Sequence, residues 1–194
     1  LTKTVINLCK KNNVENIIYF SGLGVSKKSR SSYFISKFNA EQLIKKSGLH
    51  YTIFRPSYIL GVDDYLTKNI SKQILKKQVL IPGSGKFILQ PISIDDVCLC
   101  INDTLHSSKF SNKTLDLIGP KKLSFQKLIK KSVSSEIKIK KIDLELAYKK
   151  ALTDINFEYG VEDLNILVGN YVGNHKKLQN LCNFKFKNIE SLNT

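Results

Sequence analysis

Two short, largely apolar runs separated by one helix-length segment constrain the fold of this chain more than any other feature. Ile17-Ile18-Tyr19-Phe20 is closed by Ser21-Gly22, and Tyr51-Thr52-Ile53-Phe54 is closed by Arg55-Pro56. A strand covered on both faces shows such a continuous run instead of alternation. Between the two runs the spacing predicts a helix over 32–46, stopped at Ser47-Gly48, because a glycine just past the last turn ends a helix cheaply. Strand, helix, strand in that order is a βαβ unit with parallel strands and a right-handed crossover.

The same pattern recurs downstream. A strand is expected at 114–118, after a helix over 94–106 whose Asp95 and Asp96 stand at its positive N-terminal end. This alternation indicates an α/β fold with a doubly wound parallel sheet. Other segments read differently. Residues 61–91 hold a helix around 65–77, a Pro82-Gly83-Ser84-Gly85 turn and an extended stretch over 87–92. Residues 121–194 hold a helix at 124–133, a strand near 137–142, a helix near 144–152 and a polar-apolar mixture ending in Phe184-Lys185-Phe186. A helix over 2–11 has no strand before it, and no methionine occurs at position 1 or elsewhere; together these predict a further segment upstream.

A net charge of +15 over 194 residues comes almost wholly from lysine, since Arg30 and Arg55 are the sole arginines. Nucleic-acid grooves favour arginine interleaved with aromatic residues, so a solvated lysine surface is expected and no nucleic-acid partner. The charge still attracts anionic membranes or acidic partners at long range. No transmembrane segment is expected, because no run of 18 apolar residues occurs. Cys9, Cys98, Cys100 and Cys182 lack C-x-x-C spacing and stand far from the histidines. They read as reduced, mostly buried thiols of a cytoplasmic protein, with no metal site.

Tyr33 and Lys37 stand four residues apart on the predicted helix, one above the other on the same face. An ammonium near a phenol favours the phenolate and lowers a pKa that starts near 10, so the pair is suited to acid/base chemistry. Ser21, ending the first strand, is placed to hydrogen-bond a substrate oxygen, because sites of such sheets lie beyond the carboxyl ends of the strands. Asp63-Asp64 and Asp95-Asp96 read as helix starts, His50 as a residue opening a strand, and Pro82 to Gly85 as a turn with no phosphate-loop lysine after it.

The ordered set Ile17 to Gly24, Tyr33-Phe34-Ile35-Ser36-Lys37, Ala40-Glu41, Ser47-Gly48-Leu49, Tyr51 to Ser57, Gln90-Pro91-Ile92 and Asp95-Asp96-Val97 resembles an extended or atypical short-chain dehydrogenase/reductase. The likeness points to the nucleotide-sugar epimerase/dehydratase branch that includes the accessory subunit of respiratory complex I. Leu115 to Pro120 followed by Leu123-Ser124-Phe125 resembles the strand and helix that close such proteins.

This resemblance implies the C-terminal part of a Rossmann-type NAD(P)-binding domain, residues 1–60 and 92–120, with a small α+β substrate-binding region, residues 61–91 and 121–194. It implies NAD or NADP as cofactor and Tyr33 as acid/base. Lys37 would tune Tyr33 and hold the nicotinamide ribose, and Ser21 would polarise the substrate oxygen. Pro56, Ser57, Tyr58 and Ile59 would lie beside the nicotinamide, and Gly22, Phe87 and Gln90 beside the substrate, with the 61–80 region lining the pocket. The reaction implied is oxidoreduction or epimerisation/dehydration at an alcohol/carbonyl centre, a nucleotide sugar being one candidate. The alternative is an NAD(P)-binding structural, sensor or assembly protein, associated peripherally with a membrane complex. The glycine-rich turn that cradles the pyrophosphate is not among these residues, so that half of the site is expected outside them.

Overall fold

The computed structural model describes residues 1–29 and 31–192. In chain order the elements are α1 (Thr2–Lys11), β1 (Asn16–Phe20), α2 (Ser32–Lys45), β2 (His50–Pro56), β3 (Ile59–Leu60), α3 (Tyr65–Leu75), β4 (Gln78–Pro82), β5 (Ile88–Leu89), β6 (Ile92–Ser93) and α4 (Ile94–Leu105). They continue with β7 (Lys113–Leu117), β8 (Leu123–Ser124), α5 (Phe125–Ser132), β9 (Lys138–Ile142), α6 (Leu144–Thr153), α7 (Val161–Leu167) and α8 (His175–Gln179).

Strands β1, β2 and β7 form a parallel sheet with β2 in the middle. Asn16 pairs with His50 and Phe20 with Phe54, while Thr52 pairs with Lys113 and Pro56 with Leu117. Side chains alternate across a strand, and that alternation explains why the apolar runs are continuous. Ile17, Tyr19, Tyr51 and Ile53 pack with Ile6 of α1 and Ile44 of α2. Ile18, Phe20, Phe54, Leu115 and Leu117 face the other way, against Val97 and Cys100 of α4 and Leu178 of α8. Ile53 and Phe54 have no exposed surface, and burying each stabilises the fold by about 1.5–3 kcal/mol. Helices on both faces make the sheet doubly wound, as the sequence predicts. Parallel register also brings Ser21-Gly22, Ser57 and Ile118 out at one edge.

A second core gathers Leu66 and Ile70 of α3, Val79 and Ile81 of β4, Phe125 and Leu128 of α5, and Leu164 and Leu167 of α7. Here β4 pairs with β9 in parallel and β5 with β8 antiparallel. The turn from Pro82 to Gly85 puts Gly83 and Gly85 at φ 57 and 68. The carboxylate pairs start helices: Asp64 caps α3 by accepting from the Thr67 N–H at 2.9 Å, and Asp95 and Asp96 lie in the first turn of α4, capped by Ser93.

Two features depart from the expected pattern. β4 lies in a stretch assigned to no strand, because its edge is satisfied by β9, some sixty residues on. The tail forms α7 and α8, of seven and five residues, too short to show helical periodicity. Leu178, Cys182 and Phe186 of that tail return to the central sheet instead of staying with the second core. Among the described residues no helix is long and apolar enough to cross a membrane.

Candidate active site

The strand ends converge on a cleft of ≈ 280 Å³. Gly22 reaches it from the end of β1, Tyr33 from the first turn of α2, and Pro56, Ser57, Tyr58 and Ile59 from the end of β2 and the start of β3. Six residues named from the sequence therefore line one space.

Tyr33 lies over Gly22. A methyl group in place of the glycine hydrogen would stand 3.3 Å from both Cε1 and Oη of the ring, so a bare backbone at position 22 lets the phenol sit close. Phe34 holds the ring from the side, edge-on at 5.3 Å between centroids. Lys37 projects along the same helix face. Its Nζ donates to the Phe20 carbonyl at 2.9 Å and lies 5.7 Å from the Tyr33 ring centre. One backbone acceptor uses one of its three N–H groups, leaving the others for further acceptors.

The expected lowering of the tyrosine pKa is not what the surroundings produce. Burial raises Tyr33 above its ordinary value and lowers Lys37, because partial removal from water penalises both charged forms. Tyr33 thus keeps its proton at neutrality and stands as a donor.

Ser21 is turned inward. It is buried, and its hydroxyl donates to Glu41 Oε1 at 2.6 Å. Glu41 has no exposed side-chain surface and accepts from Arg55 Nε at 2.8 Å and Nη2 at 2.7 Å. Lys45 adds a contact at 3.5 Å. Burial pushes the Glu41 carboxyl up, but the hydrogen bonds from Arg55 and Ser21 outweigh it and hold the group below its ordinary range. The network ties β1, α2 and β2 together directly behind the cleft. Glu41 follows Lys37 by one helical step and Arg55 is one of two arginines, a signal present in the sequence but weak without the fold.

Phe87 and Gln90 do not reach the cleft. Gln90 is buried, with Nε2 donating to the Gly119 carbonyl at 2.9 Å and Oε1 accepting from the Gly173 N–H at 3.1 Å. Phe87 lies beside Gly83 in a separate groove with Lys141 to Leu144. Leu89 takes the place foreseen for them, joined by Leu23, Phe34, Ile166 and Tyr171. The last two arrive from α7 and the segment after it, more than 130 residues from Tyr33, a separation that no local pattern bridges. Within the 61–80 region, Asp64 caps α3, and Leu66, Ile70 and Val79 are core residues. His50 opens β2, with Nδ1 near Ser111 and Asn112. Of the thiols, Cys100 and Cys182 are buried with sulfurs 3.6 Å apart, Cys9 is partly covered and Cys98 is exposed.

The nicotinamide end of a dinucleotide fits this lining: an ammonium with free N–H groups, a phenol, and the Pro56 to Ile59 segment at the carboxyl edge of a parallel sheet, where the Ser57 N–H is already given to the Leu117 carbonyl at 3.2 Å.

Residues 1–85 match the family model described as NAD(P)H-binding. Among solved structures, a nucleoside-diphosphate-sugar epimerase from Staphylococcus aureus is similar at a TM-score of 0.76 and 15% identity, covering 96% of this chain and 67% of that one. An NADPH-dependent quinone oxidoreductase from Escherichia coli, complexed with NADPH, is similar at 0.73 and 18%, with the same coverage of 96% and 67%. Prestalk A differentiation protein A of Dictyostelium discoideum is 25% identical over 152 residues, 77% of this chain and 47% of that protein. The mitochondrial 40 kDa subunit of NADH-ubiquinone oxidoreductase from Neurospora crassa is 24% identical over 111 residues, 57% of this chain and 29% of that subunit. The chain thus spans less than half the length of the curated relatives it matches. Residues 1–85 thus match an NAD(P)H-binding family model, whose cofactor is NAD or NADP, and the chain as a whole has the fold of the epimerase and quinone oxidoreductase structures named above.

Proposed function

We propose that this chain supplies the nicotinamide side of an NAD(P)-dependent oxidoreductase or epimerase/dehydratase acting on an alcohol/carbonyl centre. The carrying observation is the convergence of Gly22, Tyr33 and Pro56 to Ile59 on one cleft, with the Lys37 ammonium behind the tyrosine. The bound dinucleotide would supply hydride transfer. Tyr33, protonated at neutrality, gives its proton to the substrate oxygen as charge develops there and recovers it from solvent. Lys37 holds the ribose hydroxyls and stabilises the phenolate that Tyr33 becomes. Residues 1–60 and 92–120 form the nucleotide-binding part, while 61–91 and 121–194 shape the substrate side, with Leu178, Cys182 and Phe186 packed back on the sheet. The free thiols accord with work in a reducing compartment such as the cytoplasm.

Replacing Tyr33 by Phe in the full-length protein is expected to lower turnover by about 10²–10⁴-fold while NADPH binding persists. Unchanged turnover in that variant would remove Tyr33 from the mechanism.

A second reading is supported by Ser21. Its hydroxyl is committed to Glu41, so the third member of the expected catalytic set does not face the cleft. An NAD(P)-binding protein without turnover, in a structural, sensor or assembly role at a membrane complex, accords with that geometry and with the likeness to the 40 kDa subunit. Stable co-purification with a membrane assembly, and no oxidation of NADPH by any carbonyl compound offered, would favour it.

A further inference from the structure

The cleft lining that continues from Tyr33 has a chemistry of its own. Among the described residues that line the cleft none is charged, and the wall is built from Leu23, Phe34, Leu89, Ile166, Tyr58 and Tyr171. Tyr171 is held in place. A Cβ at either Gly24 or Gly169 would run into its ring, so two bare backbone positions let the ring lie between them. Gly24 has φ +93, a conformation suited to glycine. Phe34 meets Tyr171 edge-on at 5.3 Å and Tyr33 edge-on at 5.3 Å, giving a continuous aromatic row. The flanking backbone is pinned by Asn170 Oδ1, which accepts from the Ile88 N–H at 2.8 Å, and by Gly173 N–H, which donates to Gln90 Oε1.

A nucleoside diphosphate sugar brings a charged pyrophosphate and many hydroxyls, which cost free energy to bury without cations or donors around them. This wall offers no cation and, as donors, only the Tyr58 and Tyr171 hydroxyls, too few for a pyrophosphate and a sugar ring together. The whole cleft, ≈ 280 Å³, falls just under the roughly 300–1,000 Å³ that holds drug-sized ligands. Resting on the reading of the site given above, we propose that the substrate side takes a planar, apolar ring carrying a carbonyl, of the quinone class, and that Tyr171 is the specificity-determining residue that packs against it.

The test is equilibrium dialysis of the full-length protein with 2-methyl-1,4-naphthoquinone and, separately, UDP-N-acetylglucosamine, each with saturating NADP⁺. Naphthoquinone is expected to bind in the presence of NADP⁺, and the sugar nucleotide at least tenfold more weakly. Tyr171→Ala should weaken naphthoquinone by about tenfold, the worth of an aromatic contact at its upper end, and Tyr171→Phe should retain it. Ile166→Arg, which leaves Tyr171 in place and puts a charge in the wall, should also weaken naphthoquinone, so the outcome does not hang on the folding of one variant. Equal or tighter binding of the sugar nucleotide overturns the proposal. So does displacement of naphthoquinone by NADP⁺, or an unchanged affinity in Tyr171→Ala and Ile166→Arg. Failure of the wild-type protein to bind either NAD⁺ or NADP⁺ would instead overturn the underlying reading of the site, and where NAD⁺ alone binds it replaces NADP⁺ throughout the test.

Discussion

Changing Glu41 to Gln probes the joint between the fold and the cleft. The carboxylate has no exposed side-chain surface, receives two guanidinium N–H groups from Arg55, and accepts the Ser21 hydroxyl. The amide keeps the shape but turns one acceptor into an NH₂ that faces the guanidinium, donor against donor. Breaking a buried pair by removing one partner costs about 3–5 kcal/mol. Arg55 keeps a quarter of its side chain exposed and can recover some water, which places the cost near the lower figure, about 3 kcal/mol. For a domain of this size that is a fall in Tm of roughly 6–12 °C.

The pH dependence has a definite sign. The folded pKa of Glu41 is depressed, so its contribution is fully present above the unfolded value of about 4.3 and is lost as pH falls through the lower folded value. The assay is urea unfolding followed by circular dichroism, at neutral pH and down through the acid range. Wild-type protein should lose stability more steeply below the unfolded value than Glu41→Gln does. A cost under about 1 kcal/mol at neutral pH, the range of an exposed ion pair, would refute the reading of Glu41 as the fastening of β1, α2 and β2.

Two further outcomes follow from single positions. Gly24→Ala introduces a Cβ at φ +93 against the Tyr171 ring and should cost about 1–3 kcal/mol, measured by thermal unfolding; an unchanged Tm would mean that Tyr171 is not seated there. In a thiol titration of the native protein, exposed Cys98 should react first and Cys9 more slowly. Cys100 and Cys182 should react only on unfolding, since the Cys182 contact and burial push the Cys100 thiol up and the thiolate is the reactive form. Four equal rates would contradict that burial pattern.

Much of the fold is legible in the amino-acid order because its rules are local. The runs at 17–20 and 51–54 and the glycine stop at 48 are enough to specify β1, α2 and β2, and parallel pairing then forces their carboxyl ends to one edge. Gly22 and Pro56 to Ile59 sit at or just beyond those ends and Tyr33 in the first turn of α2, and the family resemblance, more than spacing, points to their meeting at one cleft.

Only the tertiary structure decided the rest. Ser21 turns to Glu41 because a buried carboxylate and its arginine lie on elements that spacing does not orient relative to one another. Gln90 is consumed by two backbone groups, one of them from the tail, and Leu89 faces the cleft in its stead. Tyr171 reaches the site from a stretch too short for periodicity, through contacts made with Gly24 and Phe34 far away in the chain. Periodicity records which face of an element is buried, whereas the partner it is buried against is set by packing between distant segments, and that packing shapes the substrate side of this protein.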